Sequence, residues 1–192
     1  IFHPIMALSF KYTFLYQKPG NAECFSIDNQ AQSTELSSGS RLKIFIRPQE
    51  KAYIYIFLHD TQNNLYLLFP EFISDFNNYY HQNKNYYIPE ENKWFTLDDS
   101  RGTERFYLLA SEKRLHKLEQ LTQVYKKTLT SSQSSNNKIN QTRQSVINEI
   151  RTLRLASSHE TSRENAFMLA CDFRGLTEQN EYKSTGVEAR GF

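Results

Sequence analysis

The chain has 192 residues, with 23 Lys and Arg against 21 Asp and Glu, and a mean hydropathy of −0.67. That length suits one domain with a real core. No apolar run approaches the ~18 residues of a membrane-spanning helix, and the near-neutral charge argues against dedicated nucleic-acid binding, which needs a basic face.

Leu8–Gln17 alternates, with Leu8, Phe10, Tyr12, Phe14 and Tyr16 on one face, and predicts a strand buried on that face. Lys18-Pro19-Gly20-Asn21 is turn chemistry, and Glu23–Asp28 predicts a short second strand. After a polar loop ending in Ser-Ser-Gly-Ser, Leu42–Arg47 alternates again until Pro48, which cannot donate to a ladder. Tyr53–His59 is apolar on both faces and predicts the central strand. Asp60–Asn64 has hairpin composition, and Leu65–Phe69 is the return strand, closed by Pro70. Glu71–Asn85 is polar and Asn/Tyr-rich, an irregular excursion. Tyr86–Ile88, Lys93–Leu97 and Glu104–Ala110 complete about eight short strands, the spacing of a β-sandwich or barrel.

The period then changes. Ser111 is placed as an N-cap. Leu115, Leu118, Thr122, Tyr125 and Leu129 recur at helical steps, as do Ile139, Val146, Ile147, Ile150 and Leu153. Arg143, Glu149, Arg151 and Arg154 fall on the opposite side of the second stripe, the reading of a solvated face. A polar linker at Thr130–Lys138 allows the two helices to fold back as an antiparallel hairpin, whose outer side, if the pair packs away from the sandwich, could bind a partner or carry an oligomer seam. Ala166–Phe173 and Gly186–Phe192 predict further strands, the last stopping as a chain cut mid-element would. The expected fold is thus an antiparallel β-sandwich, α+β overall, in one domain 1–192. Residues 1–111 and 166–192 form the sandwich, and 112–165 a helical insertion with a flexible linker near 130–138.

Several pieces in order resemble a known family. Gly39 precedes the strand Leu42–Ile46 and Pro48; then come Tyr53 and Tyr55 in Ala52–Phe57, Phe69 and Pro70 in Leu-Phe-Pro, Tyr86–Pro89, Trp94-Phe95, and Gly102-Thr103-Glu104 leading into Leu109–Glu112. From Leu36 to about Leu121 the chain resembles the bacterial family called domain of unknown function 4384. The resemblance implies an all-β module found beside caspase-like peptidases, protein kinases and envelope proteins. It implies an accessory role and no catalytic residues. Read as residues, Gly39 and Gly102 are turn positions needing permissive φ. Tyr53 and Tyr55 supply core rings with hydroxyls at the rim. Glu104 accepts from backbone amides or pairs with a base.

No reaction is written in the sequence. Cys24 and Cys171 allow one bridge in an exported chain or two reduced thiols, and neither lies in a nucleophile signature with His3, His59, His81, His116 or His159. Metal-ligand spacings are absent, apart from Asp60, Asp98 and Asp99 as loop carboxylates that suit Ca²⁺ if they converge. No cofactor is expected. Tyr79, Tyr80, Tyr86, Tyr87 and Trp94 crowd an Asn-rich region and form the candidate ligand or partner surface, for sugar rings or for protein. The alternative for these rings is packing beneath the loop. Tyr53-x-Tyr55-x-Phe57 also has the spacing of a stacking platform for single strands, which the charge disfavours. The leading expectation is a non-enzymatic accessory or protein-interaction module of the bacterial envelope or of a multidomain protein. The alternatives are a carbohydrate-binding module and a regulatory domain of a peptidase or kinase. The start at Ile1-Phe2-His3 fits a processed chain, with a periplasmic or envelope location favoured over the cytoplasm.

Overall fold

The computed structural model describes residues 10–27, 36–90, 92–100 and 102–156. The strands expected at Ala166–Phe173 and Gly186–Phe192, and Cys171 with them, lie outside the described residues. Two antiparallel sheets face each other. The first has the order β2 (Cys24–Ser26), β1 (Phe10–Gln17), β3 (Arg41–Pro48), with β6 (Tyr86–Ile88) and β7 (Phe95–Thr96) sharing the far flank of β3. The second has the order β5 (Leu65–Phe69), β4 (Tyr53–His59), β8 (Arg105–Ser111). The fold is a mainly β sandwich with a helical part.

β4 shows why a strand can be apolar on both faces. Ile54 and Ile56 point between the sheets, where they pack with Phe14, Leu42, Ile44, Ile46, Phe69 and Ile88. Tyr55 and Phe57 point the other way, into a second core with Tyr107 of β8 and the helices α1 (His116–Thr130) and α2 (Asn136–Ala156). Leu118 and Tyr125 of α1 and Val146, Ile147 and Ile150 of α2 fill it. The two helices pack on each other as a hairpin and also on the strands. The hairpin forms a third layer on the β5-β4-β8 sheet, because that sheet offers a full apolar face to bury.

β1 differs from the expectation of one buried face: Thr13, Leu15 and Gln17 are buried on the side opposite Phe14. Within Glu71–Asn85 the chain makes a 3-10 turn, Ile73–Asn77, whose Phe76 enters the helix-facing core, and Tyr80 bridges to Ala52. Ser111 is not the helix cap. It ends β8, its Oγ accepts from the Lys113 amide at 3.3 Å, and α1 starts at His116 without a side-chain cap. The linker is shorter than expected, since 136–138 are already helical.

The polar residues of the helices are placed by pairing. Glu119 is buried, accepting from the Tyr55 hydroxyl at 2.6 Å and from Arg114 Nη2 at 2.5 Å. Arg143 and Glu149, read from sequence as solvated, are buried as well; Glu149 pairs with Lys117 Nζ at 2.5 Å. That pair joins the start of α1 to the later part of α2, as an antiparallel hairpin requires. Leu129, read as part of the apolar stripe, is instead 48% exposed.

Candidate interaction surfaces

The predicted aromatic surface divides in two. Tyr79 and Tyr80 lie on the excursion between the sheets, and Tyr86 opens β6. Tyr80 packs on Phe69 at 4.8 Å and edge-on to Tyr86 at 4.9 Å, and Tyr86 Oη accepts from the His81 amide at 2.9 Å. Burial pushes the Tyr80 hydroxyl well above the usual phenol range. Tyr79 is the open member, 42% exposed, with its ring against Tyr53 and the Lys51 ammonium 3.4 Å from its centre. Tyr87 and Trp94 lie elsewhere. Tyr87 packs on Phe45 at 5.4 Å, on the outer face of the first sheet, and Trp94 stands over Lys43 and Arg41. Lys43 is fully buried, and burial brings its ammonium down to about 8.

The aromatic row of β4 is covered. Tyr55 and Phe57 lie under the helices and present no stacking platform. The Tyr55 hydroxyl does not reach the rim. It donates to Glu119 and accepts the Leu115 amide at 3.1 Å, and burial together with Glu119 raises it far above its normal value.

The Gly-Thr-Glu motif forms a polar corner with the β4–β5 hairpin. Gly102 has φ +152°, and a Cβ there would lie 2.8 Å from Thr61 Cβ and collide with Thr61 Cγ2. Only glycine lets the two loops approach so closely. Gly39, at φ +77°, likewise turns the chain so that its amide donates to Leu97 O at 2.9 Å. Beside Gly102 is a cavity of about 280 Å³ lined by His59, Asp60, Thr61, Asn63, Thr103 and Arg105. Glu104 is half-buried behind it, with Oε2 unbonded. Burial and then the Asp60 charge raise its carboxyl, against a backbone hydrogen bond from Thr61 that lowers it. The loop carboxylates are engaged singly. Asp60 accepts from the Asn64 amide at 2.6 Å and side chain at 2.9 Å; burial alone would raise its pKa, and these bonds hold it lower. Asp98 accepts from the Ser100 amide at 2.8 Å, and Asp99 from the Ser38 hydroxyl. Among the described residues no three His, Cys, Asp or Glu are grouped to hold a metal.

Cys24 is buried. No described helix is long and apolar enough to cross a membrane.

One surface was not anticipated. α1 runs beside β5, and Tyr125 Oη accepts the Leu65 amide at 3.4 Å. Between them lies a largely apolar furrow of about 220 Å³, lined by Leu65, Leu67, Tyr66, Tyr125, Lys126 and Leu129. Tyr66 and Leu129 are 46% and 48% exposed on its rim. Its sequence signal was faint: Leu129 fits the helical stripe, and Tyr66 stands alone in a strand.

No characterised protein and no solved structure matches the chain significantly. Residues 35–114, from the turn before β3 to the segment entering α1, match the sequence model of the family described as domain of unknown function (DUF4384), which establishes the family resemblance over those residues and leaves β1, β2 and both helices outside it.

Proposed function

We propose that this chain is a non-catalytic accessory module that binds another protein, as part of a bacterial cell-envelope or multidomain protein. The observation that carries the reading is the furrow between β5 and α1, with large apolar side chains half-exposed on its rim. Apolar surface of this kind, set on rigid elements, suits a protein partner. The family resemblance supports an accessory role and leaves regulation of a fused peptidase or kinase as one form of it. The test is affinity capture from the source organism with the wild-type chain and with Leu129→Asp and Tyr66→Asp, together with the oligomeric state in solution. A discrete protein captured by the wild type and lost in both variants is expected. A monomeric chain that captures nothing, or the same proteins captured by all three, contradicts the reading.

A second reading keeps the sugar-binding idea at Tyr79. Its ring is exposed beside Lys51, with Tyr53 and His81 edge-on to it. Such a ring suits the apolar face of a pyranose. Binding on a glycan array that Tyr79→Ala abolishes supports this reading; an array with no binding removes it.

A further inference from the structure

β5 is the outer strand of its sheet among the described residues. The Asp60 amide donates to Asn64 O, so alternation along the ladder directs the main-chain groups of Tyr66 toward β4. Those of Leu65 and Leu67 turn outward. The Leu65 amide meets Tyr125 only at 3.4 Å, at the long limit of a hydrogen bond, while Leu67 faces the furrow. The volume of about 220 Å³ lies below the ~300 Å³ where small-molecule sites begin. It suits one or two side chains of a polymer.

Lys126 supplies the charge. It lines the furrow, half-buried, and burial lowers its pKa; no carboxylate among the described residues pairs with it. A partly desolvated ammonium without a counter-charge favours a partner that brings one. A second copy of this chain pairing through either outer strand of this sheet would bring none. Leu65–Phe69 and Arg105–Ser111 contain no Asp or Glu.

Resting on the protein-binding reading above, we propose that the furrow takes an extended peptide segment of the partner. The segment adds hydrogen bonds to the β5 edge at Leu67, seats an apolar side chain between Leu67 and Leu129, and sets a carboxylate on Lys126. This is strand addition beside a helix: the main chain supplies affinity, and the pocket and the charge supply selection.

The test uses the full chain and a set of synthetic nine-residue peptides of alternating Val and Thr, with Glu, Gln or Lys at one internal position. Affinity is read by fluorescence anisotropy. The Glu peptides bind at least about tenfold tighter than the Lys peptides. Lys126→Gln removes the preference, Lys126→Glu inverts it, and Leu129→Arg weakens every peptide with the melting temperature unchanged. No binding by any peptide, or equal affinity for Glu and Lys peptides, overturns the proposal. So does concentration-dependent dimerisation that Leu129→Arg abolishes, which would assign the furrow to a second copy. A partner captured through Leu129 together with peptides that do not bind would defeat the extended-segment proposal and leave the protein-binding reading standing. Failure of both would end both.

Discussion

Single residues in this fold are constrained by what approaches them. Gly102 illustrates it, because its positive φ and the nearness of Thr61 act together. Gly102→Ala is expected to cost about 2–3 kcal/mol, from backbone strain and the collision. In a Thr61→Gly background the loss shrinks to the conformational part, about 1–2 kcal/mol, and urea unfolding of the four proteins measures that coupling. Fully additive losses would show that the two loops do not touch. Glu104 gives a pH signature. Its folded-state pKa is raised above the ordinary value of 4.5, so its favourable contribution is complete below that value and is lost as pH rises through the folded pKa. Glu104→Gln keeps the acceptor and cannot ionise. Its melting temperature should match wild type near pH 4 and exceed it by about 1–3 °C at pH 7. A gap independent of pH, or of opposite sign, contradicts this. The motif glycines were legible in the sequence as turns. The partner that makes Gly102 indispensable was not, since Thr61 lies in a different hairpin.

Elements are held to one another by a few polar anchors inside apolar layers. The clearest is Tyr55, whose hydroxyl ties β4 to the start of α1 through Glu119 and the Leu115 amide, with Arg114 completing the cluster at 2.5 Å from Glu119. Tyr55→Phe keeps the ring and removes the anchor. It should lower stability by about 1–3 kcal/mol, with an unchanged denaturant slope. Amide exchange should quicken in the first turn of α1 and stay constant in β1 and β3. A loss below about 0.5 kcal/mol would mean that water replaces the hydroxyl without cost. Strand positions were legible because turns and prolines punctuate them: Pro48 closes β3 and Pro70 follows β5. The helix residues were misread where polarity stood in for exposure. Arg143 and Glu149 are charged and buried; Glu149 pairs with Lys117 and Arg143 donates to Asn140 Oδ1 at 2.9 Å, partners that helical periodicity cannot reveal. Ser111 had the chemistry of a cap, and the strand claimed it first.

At the scale of the whole molecule, three layers share one central strand. β4 was recognisable from its two apolar faces, yet the sequence left open what covers each. Sheet covers one and helices the other. The family match ends at residue 114, before the helices that bury Tyr55, Phe57 and Tyr107. It also omits β1, which pairs along the full length of β3. A fragment of residues 35–114 should therefore fail to fold alone, giving no cooperative thermal transition and binding dyes that report exposed apolar surface. A cooperative transition in that fragment would show that the helical layer is an accessory to the sandwich and not part of its core. The furrow between β5 and α1 exists only at this scale, since these two elements and Phe57 of β4 build it together and none announces it by itself. The measurement that tests the protein-binding account most directly is photocrosslinking in the source cells. A crosslinking residue is placed at Leu129 on the furrow rim, or at exposed Gln120, nine residues earlier and on the opposite side of α1. The account predicts a discrete crosslinked protein from Leu129 and none from Gln120. Equal products from both positions, or none from Leu129, would contradict it.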